Sequence, residues 1–208
     1  MAKLQLNKSA LYRQTTQLKM YKQFLPSLDL KRQQLMAERK KAEKALEKTQ
    51  AEVEEISKDI SRNLFMLSND RVDLTDLAVV KEAHIKEENL MGVHLPVLSS
   101  IKVEIRPYAF MGKPHWVDKV AVKLKQMIEL RIRIQVQQQR VVLLNYAVQK
   151  ITQRVNLFDK VLIPQAQERI KKIKIYLSDA ERAQVVRAKI SKNKRAKERK
   201  RAKEQSLS

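Results

Sequence analysis

The side chains that could do chemistry are few in this chain and poorly placed for it. Three histidines, His84, His94 and His115, all fall in the middle of the sequence, with no cysteine to complete a zinc set and no His-x3-His spacing. Loop and strand positions are their expected places, and no metal ligand is assigned. Glu52, Glu54 and Glu55 stand close together among lysines in a helical pattern, so they are expected to be solvated charges rather than an acid/base pair. The only glycines are Gly92 and Gly112, too few for a phosphate-cradling loop. No catalytic residue, cofactor site or metal site is expected, and the chain is not expected to be an enzyme.

One local concentration of charge stands out. Residues 189–203 hold nine Lys or Arg against one Glu, a net +8 out of a formal +21 for the whole chain. The pI near 10.2 calls for an acidic partner. On charge alone three readings stay open: phosphate contacts with nucleic acid, contact with an acidic protein surface, or a merely solvated tail. No aromatic side chain interleaves the cations of that run.

The elements that must carry this charge are long helices. Two glycines, five prolines and 32% charged residues in 208 make a helix-rich composition. A step of seven from Leu4 gives Leu4, Leu11, Leu18, Leu25, Arg32, Arg39, Leu46, Val53, Ile60 and Leu67, and Tyr21, Leu28, Leu35, Ala42 and Ile56 form a complementary seam. A second series runs Val120, Met127, Ile134, Val141, Val148, Val155 and Leu162, with Leu130, Leu144, Ile151 and Phe158 beside it and Lys123 and Gln137 as polar exceptions. The spacing predicts helices over about 4–67 and 116–190; at ~1.5 Å per residue the first would span about 95 Å. Tyr12, Tyr21, Tyr146 and Tyr176 sit on or beside these seams, where packing is their expected role, and Trp116 is expected to pack where the second helix starts.

The stretch between the helices is different. It contains both glycines and Pro96, Pro107 and Pro114. Ile101, Val103 and Ile105 alternate with Lys102, Glu104 and Arg106, and "VHLPVL" before Ser99 and Ser100 can be the partner strand of a small hairpin. Residues 74–90 can form a short helix. The expected fold is all-α: a long antiparallel two-helix coiled coil of N- and C-terminal helices with a small central β-hairpin insertion. Its segments are 1–67, 68–115, 116–190 and a basic tail, 191–208. Such a chain would be a rod with a knob at one end and both termini at the other. With no leader and no apolar run of membrane-spanning length, it is expected to be soluble.

This architecture, with "RVNLFDKVLIP" at 154–164 and "MGVHLPVL" at 91–98, resembles the D subunit of the V-type (vacuolar and archaeal type) ATPases, the central rotor axle. Arg154, Val155, Asn156, Ile163 and Pro164 fit that family's Arg-Val-Asn run and Ile-Pro pair. Ile170, Ile173, Leu177 and Glu181-Arg182 fit its later positions, and Gly92, Val93 and Pro96 fit its Gly-Val-x-x-Pro. The first helix departs from the family pattern, with Phe24 at a usual glycine and Pro26 within the helix, and resembles a more divergent bacterial branch.

The resemblance implies a non-catalytic subunit that carries torque between a nucleotide-binding ring and a membrane ion-translocating ring. It would be cytoplasmic and peripheral to the membrane, touching it only through the complex. Implied partners are the catalytic and non-catalytic ring subunits, the small F subunit of the stalk and the subunit that caps the membrane ring, with no nucleic acid. The partner interface is expected at Arg154, Asn156, Arg182, Arg187, Lys189, Lys192 and Lys194. The alternative is a coiled-coil nucleic-acid-binding or scaffold protein using the basic tail. An F-type rotor is disfavoured because only about 48 residues separate Leu67 from Trp116.

Pro164 is the anomaly in the second seam. It follows Leu162, the last of the seven-step series, and Ile170, Ile173 and Leu177 run in a shifted register. The expectation is a helix that continues past Pro164 with a kink and turns a new face to its partner.

Overall fold

A computed structural model describes residues 5–63, 74, 77–107, 114 and 116–205, with side chains to residue 197. Helix α1 runs Lys8–Asn63 without a break at Pro26. It starts where Asn7 caps it: the Ala10 N–H donates to Asn7 Oδ1 at 2.7 Å, satisfying one of the first-turn amides that have no partner within the helix. Strands β1 (Ala78–Leu90) and β2 (Val93–Ile105) form an antiparallel hairpin, and α2 follows over Trp116–Leu157. A five-residue π-helical turn, Phe158–Leu162, joins α2 to α3, Ile163–Gln205. Among the described residues the fold is therefore long helical segments on either side of one hairpin in the sequence. Residues 64–67, Gly112 and His115 lie outside the described residues.

The chain divides into two compact units, Met1–Asp29 with Gln153–Ser208, and Leu30–Thr152. In the second, the two helices run antiparallel, with Leu35, Val136, Leu144, Val148 and Ile151 buried along their seam. Thr49 is buried on the same seam and satisfies its hydroxyl by donating to the Ala45 carbonyl at 2.9 Å. Arg32 and Arg39, the two polar members of the first seven-step series, are half-buried. Polar residues at such positions fix register at some cost in stability. At the start of α2, Trp116, Val117 and Val120 bury against Leu77 and Leu74.

The hairpin lies on this unit. Leu95 and Val103 of β2 are buried, Glu88 of β1 meets Arg140 of α2 at 3.1 Å, and its base is closed by the Arg106 N–H donating to the Leu77 carbonyl. A cleft of about 510 Å³ remains between β2 and the two helices, lined by Ala42, Ala45, Val97, Ile101 and Gln137 among others. Met91 (φ 53) and Gly92 (φ 81) make the two-residue turn with positive φ at both positions that suits the strand twist.

Two expectations for this region are corrected. Residues 78–90 form β1, not a short helix, and "VHLPVL" and Ile101–Ile105 belong to one strand rather than to two strands turning at Ser99-Ser100. The Glu- and Lys-rich composition favours helix locally, but cross-strand pairing outweighs it: Lys81 pairs with Glu104, and Glu82 with Lys102. Irregularities in register between Val80 and Glu82 and between His84 and Ile85 break the alternation along β1.

A cationic helix end as candidate partner surface

All residues expected at the partner interface lie in the unit formed by Met1–Asp29 and Gln153–Ser208. Its two helices also run antiparallel. Tyr21 of α1 meets Phe158 edge to face with centroids 5.4 Å apart, and Lys8 meets Glu181 at 3.7 Å. The seam between them buries Val155, Ala166, Ile170 and Ile173.

That seam runs through the π-helical turn, and the turn explains it. Phe158 and Leu162 are half-buried, and the next buried residues are Ala166, Ile170 and Ile173. From Phe158 to Ala166 is one residue more than a heptad. A π-helical turn holds one residue more than an α-helical turn, so it absorbs the surplus. The Ile163 N–H accordingly donates to the carbonyl of Phe158, five residues back. The shifted residues of α3 are themselves the buried ones, Ile170 and Ile173, in place of the Arg169 and Tyr176 that an unbroken heptad from Leu162 would bring to the seam. Pro164 follows at once, where the widened turn relieves the clash of its ring with the carbonyl four residues before it.

Beyond the seam the character of α3 changes. From Glu181 to Lys197 every residue is exposed, and Val185, Val186 and Ile190 are 55–69% exposed. The helix continues to Gln205, fifteen residues past the expected end at 190. Residues 182–205 hold eleven Lys or Arg against two Glu. At ~100° per residue Arg182 and Lys189 fall on one side of the helix with Lys192 beside them, while Arg187 and Lys194 fall on the opposite side. The cations therefore encircle the helix. Arg182 lies 3.9 Å from Asp179, both well exposed, a contact that neutralises little. Further down, Lys172 donates to Glu168 and attracts its charge, holding that carboxyl below its ordinary 4.5.

Arg154 and Asn156 are exposed on the last turn of α2, and Pro164 is exposed just after the π-helical turn. The structure thus separates Arg154, Asn156 and Pro164, beside the paired seam, from Arg182, Arg187, Lys189, Lys192 and Lys194 on the helix beyond it. Among the described residues no cluster of His, Asp and Glu could hold a metal ion. Nor, among them, is any helix long and apolar enough to cross a membrane.

Comparison with known proteins gives this architecture a family. The sequence profile of the ATP synthase D subunit matches residues 10–193. The chain belongs to the family of V-type ATP synthase D subunits. It is 37% identical over 193 residues to the V-type ATP synthase D subunit of Borreliella burgdorferi, covering 93% of this chain and 95% of that protein. The corresponding D subunits of Chlamydia trachomatis and Chlamydia muridarum are each 29% identical over 197 residues, 93% of this chain and 96% of theirs. The residues matched by the profile include most of both arms, the hairpin and Pro164.

Proposed function

We propose that the chain is the central-stalk rotor subunit of a V-type ATP synthase, carrying torque between the nucleotide-binding ring and the membrane ion-translocating ring. One observation supports this most: α3 outruns its seam as an exposed helix with cations on all sides. A helix that docks on one flat acidic surface needs charge on one face. A helix charged all round suits a partner that surrounds it, such as the cavity of a ring of catalytic and non-catalytic subunits. The F subunit and the subunit capping the membrane ring are the other partners of this reading, and the chain is non-catalytic and peripheral to the membrane.

The helical arms suit the load. No glycine interrupts α1, α2 or α3, so neither arm contains the residue type most prone to hinge. The two strands of the seam differ in sequence, which makes the shaft asymmetric, so each ring interface meets a different face as it turns. Arg182, Arg187, Lys189, Lys192 and Lys194 bind the ring through long-range attraction rather than fixed pairs, which lets the surface move between equivalent positions.

Co-purification of the tagged full chain from its native cell tests the reading. Ring subunits are expected with it, in amounts that fall with added salt. A variant with the five cations changed to Gln is expected to lose at least tenfold in ring capture. Nucleic acid without ring subunits would establish the phosphate-binding alternative instead.

A further inference from the structure

The unit that carries the cationic helix also exposes an apolar patch, on one flank of its paired region. Met20 and Phe24 lie one turn apart on α1, and Leu157 and Val161 one turn apart on the other arm; all four are 39–55% exposed. The Tyr21–Phe158 contact sets the two pairs at the same level, because Tyr21 follows Met20 and Phe158 follows Leu157.

They also share a side. In an antiparallel helix pair, residues immediately before the seam positions of one helix flank the same side as their counterparts on the other. Met20, Phe24, Leu157 and Val161 precede the seam residues Tyr21, Leu25, Phe158 and Leu162. Residues immediately after seam positions take the opposite flank, where Lys8 and Glu181 meet. Arg154, which precedes Val155, bounds the patch at one end, and Arg13 lies beyond the other. No carboxylate holds such a position over residues 10–27 or 154–161.

We propose that this flank is a docking surface for a protein partner whose contact face has an apolar centre and an acidic rim. Clustered large apolar side chains at one level mark an interaction site where scattered ones do not. The basic ends select a partner with carboxylates at its edge, and the absence of acidic residues on the flank leaves those carboxylates unopposed. Apolar centre and charged rim are the usual division of an interface. The inference rests on the reading that the chain works inside a larger complex, and the surface is separate from the cationic end of α3.

Photo-crosslinking residues placed singly at Phe24 and Val161 of the full chain, in its native complex, test this. Both positions are expected to cross-link the same polypeptide, at a segment with apolar residues ringed by Asp or Glu. Met20→Gln/Phe24→Gln is expected to weaken capture of that polypeptide at least tenfold at any salt concentration. Arg13→Gln/Arg154→Gln should weaken it at low salt only. Circular dichroism controls for folding, since Gln is a good helix former at exposed positions. Adducts with two different polypeptides, with a second copy of this chain or with none would overturn the proposal. Retained ring capture with lost cross-links would overturn it alone, while lost ring capture with retained cross-links would overturn only the rotor reading.

Discussion

The Ile163 N–H donates to the carbonyl of Phe158, one residue further back than an α-helix allows, and Pro164 comes next. The extra residue keeps Ala166, Ile170 and Ile173 buried while making room for the proline ring. Deleting Asp159 restores an even heptad but forces Pro164 into a regular α-helix, at a cost of about 3 kcal/mol. Thermal unfolding of the full chain should show that loss, and Pro164→Ala in the deleted chain should recover most of it. Pro164→Ala in the parent should change little. Additive effects would show that turn and proline are unrelated. A bend at Pro164 remains a proposal that the same variants can probe by the distance between spin labels on α2 and α3.

The Tyr21–Phe158 contact ties α1 to the first residue of that turn. Edge-to-face aromatic pairs add ~0.5–1.5 kcal/mol beyond the area they bury. A double-mutant cycle of Tyr21→Leu and Phe158→Leu should return a coupling of about that size. A coupling near zero would mean that the rings merely fill space.

Legibility followed locality. None of the seven residues from Val120 to Leu162 in the second series is exposed, because a heptad repeat reports its own buried face. The shifted register at Ile170 was also visible. What could not be read was the device that absorbs it, since an extra residue can rotate a helix or widen one turn, and only packing against α1 decides. Strand β1 was hidden because its partner supplies the reason to be a strand: Lys81 and Glu82 read as helix formers until Glu104 and Lys102 stand opposite. The cations of α3 were plain in the sequence. The apolar flank was not, because Met20 and Leu157 become neighbours only through the level set by Tyr21 and Phe158.

The hairpin turn offers a sharper test of backbone strain than of packing. Among the described residues a Cβ on Gly92 would find only the Lys31 Nζ, at 3.9 Å, so space is not the obstacle. The obstacle is its φ of 81°, since a left-handed conformation costs an L-residue about 1–2 kcal/mol. Gly92→Ala should weaken amide protection of Asn89, Leu90 and Val93 in hydrogen exchange, while leaving that of α1 and α2 unchanged. Gly92→Asn should lose less. Equal protection in the Ala variant would refute the argument from φ.

Asp59 and Lys123 tie α1 to α2 at 2.7 Å within the unit formed by Leu30–Thr152. The hydrogen bond from Lys123, then its charge, holds the Asp59 carboxyl below its ordinary 3.8, and the Asn63 side chain adds a smaller contribution in the same direction. A carboxyl whose pKa is lowered by folding stabilises the native state above its unfolded pKa, and that contribution fades as pH falls through the lower folded value. Asp59→Asn should therefore lower the unfolding midpoint at pH 7, with a difference from the parent that stays constant down to about pH 5 and shrinks below the ordinary carboxylate range. The pair is partly exposed, so added salt at pH 7 should shrink the difference as well. A difference independent of both pH and salt would assign the effect to lost helix packing around Asn63 rather than to the charge on Asp59.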